Sequence, residues 1–326
     1  MKDKTYKLHN TGRKKKKRIV IAVLVLMIIL GSCLGWFAYK PARHVHVSVT
    51  PSANSSNYTN VNGKYLFSGT IVLARAVETY ANGNYNQPFS GMSTLGTYDA
   101  SVGDLECPIT NNTVSYQTEV NDLIFNCRPQ WLPYLKKYFP IINLSSNHLY
   151  DQGEDGFNQT VANLTQAGFQ TVGNYNPHIE SDDCKTVALP VHLQKSSGQA
   201  EDGILPVAVC SYNYKILFSP NPGELESIQK WSKIMPVIAL LNHGPEYQQV
   251  ADTQTTNIAH EMIDYGASFV VGNGTHWVQN TEVYKGKLIA YSLGNFIFDQ
   301  VDYDGRIALN LSVSMSYSTI EMPLAG

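Results

Sequence analysis

Carboxylates, imidazoles and amides in this chain gather where apolar runs stop. Asp104 and Glu106 stand two apart, Asn147 and His148 are adjacent, and His243 follows Asn242. His276 closes Gly272-Asn273-Gly274-Thr275-His276, and Asn295 closes Ser292-Leu293-Gly294-Asn295. Side chains of these types hold divalent cations, the carboxylates supplying charge and the imidazoles neutral nitrogen. Residues two apart on an extended segment share a side, so Asp104 and Glu106 can line one pocket. A solvated acidic turn is the bland alternative.

The elements that must deliver these groups are legible as short runs. Residues 237–241, 268–271 and 288–291 are continuous apolar stretches, the pattern of strands buried on both faces. In open α/β sheets the chemistry sits beyond the carboxyl ends of such strands. Residues 140–144 form another such run, ending in Ser145-Ser146-Asn147-His148. A helix is expected over 156–168, with Phe157, Val161 and Leu164 on one face and Gly168 as its stop. Strand, polar turn and helix make half of a βαβ unit, hence an α/β protein. Further expectations are a first strand over 61–73 turning at Ser68-Gly69-Thr70, a long loop over 80–96, and a short strand within 98–108. Short helices are expected over 129–138, 224–233 and 257–265, and a hairpin joins 185–193 to 204–211. His260 reads as a surface residue of its helix, and His44 and His46 have no other ligand type beside them.

Composition separates the ends from the body. Nine of the 24 Lys and Arg, but only one of the 26 Asp and Glu, lie before residue 19, so fifteen basic and twenty-five acidic residues remain beyond it. An acidic body offers no footprint for nucleic acid. The basic tail, 1–18, precedes an apolar span at 19–39 long enough to cross a bilayer. With the positive charge on the tail, the span reads as a signal anchor that leaves the N-terminus cytoplasmic and the rest extracytoplasmic. The second reading is a lipoprotein signal, Leu30-Gly31-Ser32-Cys33, lipidated at Cys33. A polar linker at 40–60 then leads to a single domain at 61–326. Cys107, Cys127, Cys184 and Cys210 either form two disulfides, with neighbours paired, or are buried small hydrophobes.

From about residue 66 to 299 the chain resembles the CapA family of capsule and poly-gamma-glutamate synthesis proteins, a relative of the calcineurin-like metallophosphoesterases. The resemblance rests on Asp104-Leu105-Glu106-Cys107-Pro108-Ile109, on Ser146-Asn147-His148 with Asp151, Gly153, Glu154 and Gly156, and on Ala167-Gly168-Phe169. It extends through His243-Gly244 with Glu246-Tyr247, residues 272–276, and Tyr291-Ser292-Leu293-Gly294-Asn295-Phe296. The resemblance implies a metallophosphoesterase-like sandwich of two central β-sheets flanked by helices, carried on one N-terminal transmembrane helix. It also implies metal ions that activate a water. The chain departs from the family at the metal ligands. Thr70 stands where a carboxylate is usual, Asp104 where Asn is usual, and His243 one position late; of two usual histidines near 276, only His276 remains. A one-residue shift on a strand turns a side chain to the other face. The surviving candidate ligands are Asp104, Glu106, Asn147, His148 and His276, enough for one divalent metal rather than two, with Asn147 and His148 assigned to catalysis. Arg75, Asn295 and His243 are the candidates for contact with an anionic substrate, and Trp277 for a pocket wall.

Two functions follow. One is a membrane-anchored component of cell-surface polymer synthesis or export, with a degenerate phosphatase-type site and an anionic polymer or its synthesis machinery as partner. The other is an active metal-dependent hydrolase of an envelope polymer or phosphorylated precursor. Whether the chain is an enzyme is left open at this level.

Overall fold

The computed structural model describes residues 58–215 and 218–317. The basic tail, the apolar span at 19–39, Cys33 and the linker up to residue 57 lie outside the described residues. Among the described residues no helix is long and apolar enough to cross a membrane.

The strands are β1 (Tyr58–Ile71), β2 (Ala100–Leu105), β3 (Ile141–Asn143), β4 (Gln170–Val172), β5 (Cys184–Lys195) and β6 (Ala200–Asn213). They continue with β7 (Val237–Asn242), β8 (Phe269–Asn273), β9 (Thr281–Tyr284), β10 (Lys287–Ala290), β11 (Asn295–Ile297) and β12 (Leu311–Tyr317). One hydrogen-bonded path joins them in the order β4-β3-β2-β1-β5-β6-β7-β8-β10-β9, with β11 and β12 also pairing with β1. Strands β1 to β4 are parallel to one another, as are β6, β7, β8 and β10. Strand β5 is antiparallel to both β1 and β6. Two reversals restore the direction, so both parallel sets end at one edge.

Side chains alternate between two cores with a period of two, as the pleat requires. On β7, Ile238 and Leu240 enter a central core shared with Phe67, Val102, Ile141 and Val172 of the other limb. Val237, Ala239 and Leu241 face an outer core with Ile258, Met262 and Ile263 of the helix Thr253–Asp264. Ile142 of β3 faces a second outer core with Phe157 and Leu164 of the helix Gly153–Gln166. Burial on both faces is why the strands read as unbroken apolar runs.

The expected pair of central sheets is therefore one continuous sheet folded into two limbs around a core. The cause is the length of β1, whose residues 58–62 pair with β5 while 65–71 pair with β2. The expected turn at Ser68-Gly69-Thr70 is instead an irregular stretch within β1. Gly69 permits it: a Cβ there would lie 2.0 Å from the Gly294 carbonyl oxygen. The region read as a loop over 80–96 contains the end of the helix Arg75–Ala81 and two short 3-10 turns. The helix expected over 257–265 begins earlier, because the Asp252 carboxylate accepts from the Thr255 N–H and caps it. Both neighbouring cysteine pairs, Cys107–Cys127 and Cys184–Cys210, are disulfides.

Candidate functional site

Where the central core ends, inward positions become polar in register. Thr70 pairs with Asp104 and Asp104 with Asn143; on the other limb Asn213 pairs with Asn242 and Asn242 with Asn273. The limbs are tied here, since Ser211 Oγ donates to Asn143 Oδ1 at 2.6 Å. Asn143 Nδ2 donates to Asp104 Oδ1 at 2.7 Å, and Thr70 Oγ1 donates to Asp104 Oδ2 at 3.3 Å. Both Asp104 oxygens are thus occupied by this chain's own donors. Burial, and then the charge of Glu106, push the Asp104 pKa up to about 7, against the lowering effect of those two bonds.

Two residues on, Glu106 is different. It is equally buried, and its Oε2 has no hydrogen-bond partner. Its Oε1 lies 3.9 Å from His148 Nε2 and 4.0 Å from His276 Nε2. Each imidazole is oriented from behind. His148 Nδ1 lies 2.9 Å from Asp151 Oδ2, and its ring stacks on Phe125. Burial alone lowers the His148 pKa, but the bond to Asp151 and the charges of Glu106, Asp151 and Glu246 outweigh it and raise the pKa on balance. His276 Nδ1 lies 3.0 Å from Asn295 Oδ1. Asn295 Nδ2 donates to Gln300 Oε1 and to the Gly305 carbonyl, so Asn295 Oδ1 is the acceptor and His276 Nδ1 carries the proton. His276 Nε2 is the ring nitrogen left to face Glu106. Its backbone is left-handed (φ 63°), an arrangement held at a local cost.

Glu106, His148 and His276 are the candidate ligands that the fold brings together. Asn147 is half-buried at the start of the 3-10 turn Asn147–Tyr150 that also carries His148. Asn295 serves His276, from behind the ring. Arg75, expected to meet an anionic substrate, is paired with Asp299: Nε donates to Oδ2 at 3.0 Å and Nη2 to Oδ1. Its guanidinium also lies over the rings of Phe125 and Phe298. His243 lies on the outward parity of β7, and its Nδ1 donates to Thr255 Oγ1 at 2.9 Å, which itself donates to Asp252. Trp277 donates its indole N–H to Asp302 Oδ2 and stands edge-on to Tyr247.

Two charged residues escaped the sequence reading. Lys215 lies just past β6, and its buried Nζ donates to the Gly274 carbonyl at 2.6 Å and the Gly244 carbonyl at 2.9 Å. Its third neighbour, Glu246 Oε1, is 3.4 Å away and lies 4.0 Å from His276 Nε2. The available signal was a lone Lys ending the apolar stretch of β6; Glu246 was visible within the resemblance but had no assigned role.

The residue types gathered here, one carboxylate and two imidazoles, are those that ligate divalent cations. Glu106 presents Oε1 to the two imidazole nitrogens and keeps its buried Oε2 without a hydrogen-bond partner. Donors around a four-coordinate zinc, with bonds of about 2.0–2.1 Å, stand roughly 3.3 Å apart. As placed, no three His, Cys, Asp or Glu side chains among the described residues close tightly enough to hold a metal. Glu106 Oε1 stands 3.9 Å and 4.0 Å from the two imidazole nitrogens, beyond that spacing of roughly 3.3 Å.

These features define an α/β protein with a buried polar cleft at the carboxyl ends of a two-limbed sheet. The model of the family "Bacterial capsule synthesis protein PGA_cap" matches residues 64–196 and 210–300, and the chain belongs to that family. It is 26% identical over 318 residues to the PGA biosynthesis protein CapA of Bacillus subtilis, covering 91% of this chain and 77% of that one. It is 25% identical over 309 residues to the capsule biosynthesis protein CapA of Bacillus anthracis, covering 88% and 70%. The crystal structure of TT1561 of Thermus thermophilus overlays with a TM-score of 0.42 at 11% identity, over 72% of this chain and 90% of that one.

Proposed function

We propose that this capsule-synthesis protein is membrane-anchored and extracytoplasmic, and that its cleft is a degenerate metallophosphoesterase-type site that grips an anionic polymer such as poly-gamma-glutamate through one divalent cation. The observation that carries this reading is the contrast between Asp104 on β2 and Glu106 just past its end. Asp104 is closed off by Thr70 and Asn143, whereas Glu106 keeps a buried oxygen unpartnered beside His148 and His276. The apolar span at 19–39 supports the anchor, with lipidation at Cys33 as the alternative attachment. The two disulfides support an oxidising compartment.

An acidic body repels a polycarboxylate, so contact between them needs local positive charge. Glu106, His148 and His276 would hold the cation, which would supply that charge and, in a hydrolase, polarise a bound oxygen. Asp151 and Asn295 fix the two rings so that their Nε2 atoms face inward. The hydrolase alternative is favoured by this same orientation, since an inward Nε2 can take a proton from water.

The test is Mn2+ binding to the full chain in detergent, by calorimetry and elemental analysis, beside a His148→Ala variant. One ion per parent chain, lost in the folded variant, supports the reading. Retention of poly-gamma-glutamate that survives chelator unchanged counts against it.

A further inference from the structure

We propose that Lys215 is the cleft's own carboxylate-binding group, and that Glu246 is a resident stand-in for a carboxylate of the acidic polymer. The polymer's carboxylate displaces Glu246 and takes its place on the ammonium. The proposal rests on the reading that this cleft receives an anionic polymer, and it requires no bound cation.

A place built for an ammonium lies between the loops after β7 and β8. Lys215 Nζ donates to the Gly274 carbonyl at 2.6 Å and to the Gly244 carbonyl at 2.9 Å. Both glycines have left-handed backbones (φ 90° and 104°), and at Gly274 a Cβ would stand 1.8 Å from Asn242 Oδ1, so no side chain fits there. The base of the lysine is fixed as well, since its backbone N–H donates to Asn213 Oδ1. An ammonium has three N–H donors. The carbonyls take two, and the third is left for Glu246 Oε1.

That third contact is of a different kind. It measures 3.4 Å, against about 2.7–2.9 Å for a tight charge-assisted bond. The Lys215 side chain is 6% exposed and that of Glu246 35%, so the carboxylate is the member of the pair that solvent reaches. The loop is pinned one residue further on. There the Tyr247 N–H donates to the Thr275 carbonyl at 3.0 Å, and the Tyr247 ring stacks on His276. Glu246 can therefore rotate outward while the loop stays in place.

Electrostatics favour exchange over addition. Burial lowers the Lys215 pKa, and Glu246 and then Glu106 oppose that change, so the ammonium is sustained by a carboxylate beside it. An anion added next to Glu246 and Glu106 would meet two like charges. One that replaces Glu246 leaves the charge around Lys215 and Glu106 as it was. The leaving and arriving groups are then chemically alike, which selects a carboxylate over a doubly charged phosphate.

The experiment is a calorimetric titration of the full chain in detergent with a γ-linked glutamate oligomer, in Mn2+ and in chelator. Glu246→Gln removes the competitor and its charge, and should bind the oligomer about tenfold more tightly than the parent. Lys215→Met should bind it about 10- to 100-fold more weakly. A pair that merely braced the two loops would make both substitutions act alike, so the opposite signs are the diagnostic result. Near-ultraviolet circular dichroism checks the fold, and Lys215→Gln, which keeps a donor for the carbonyls, replaces Lys215→Met if the latter does not fold. Binding by Glu246→Gln alone, with none by the parent, also supports the proposal. A folded Glu246→Gln that binds no more tightly than the parent, or a folded Lys215 variant that binds no more weakly, overturns it. Dependence on Mn2+ decides the cation reading separately: binding that survives chelator with the opposite shifts intact retires the cation and leaves the carboxylate subsite standing. If neither parent nor Glu246→Gln binds in either condition, both are overturned.

Discussion

Replacing Thr70 by Asp puts a second carboxylate against Asp104 in a place that is fully buried. Thr70 Oγ1 and Asp104 Oδ2 are 3.3 Å apart, and both residues are sealed from solvent. Two unit charges at that separation repel by about 5 kcal/mol at an effective dielectric constant near 20. Asp104 already has its pKa raised to about 7, so the pair will keep one proton at neutral pH and shed most of that repulsion. The penalty in chelator should therefore be about 1–3 kcal/mol at pH 7 and should grow toward about 5 kcal/mol by pH 9. A divalent ion that binds the folded variant at a hundred times its dissociation constant returns about 2.7 kcal/mol. The assay is urea unfolding at both pH values, in chelator and in saturating Mn2+, with elemental analysis of the folded protein. A variant as stable as the parent in chelator, and indifferent to Mn2+, refutes the view that Thr70 is what closes this side of the cleft.

Three further outcomes are expected. Asn295→Leu removes the acceptor that fixes the His276 proton on Nδ1, and should weaken Mn2+ binding by about 10- to 100-fold in calorimetry while the fold persists. Asp183 is buried with an unpartnered Oδ2, and burial, then the charges of Glu224, Glu180 and Asp182, raise its pKa to about 7. A carboxyl group whose pKa is raised on folding favours the native state below its ordinary value of 3.8, and that advantage is lost as pH rises to about 7. Asp183→Asn should thus gain stability over the parent between pH 4 and 7, by at most about 4 kcal/mol, in urea unfolding across that range. Replacing Cys107 and Cys127 by Ser opens a loop with a sequence separation of 20 and should cost about 3 kcal/mol in urea unfolding beside the oxidised parent.

Much of the candidate site was legible because it sits at strand ends. The change from apolar to polar after residues 144, 241, 271 and 291 is local, and the parallel sheet converts it into a common edge. Strands β4, β9, β11 and β12 went unseen because they mix polar with apolar residues and lack the continuous apolar run that marks β3 and β10. The pairing of Arg75 with Asp299 was hidden for a different reason. The two lie 224 residues apart, and no local pattern reports such a meeting.

By itself the sequence determined the α/β class, the polar strand ends, the cysteine neighbours able to pair, and the motifs that mark the capsule-synthesis family. These follow from periodicity and short-range chemistry, which the chain carries wherever it goes. The tertiary structure alone decided that β1 serves both limbs, that His243 faces Thr255, and that Glu106 meets two imidazoles from different loops. It also decided that Lys215 enters between the loops after β7 and β8. Those outcomes depend on which elements pack together and on the parity of one residue along a strand, where a single step exchanges the cleft for the outer core.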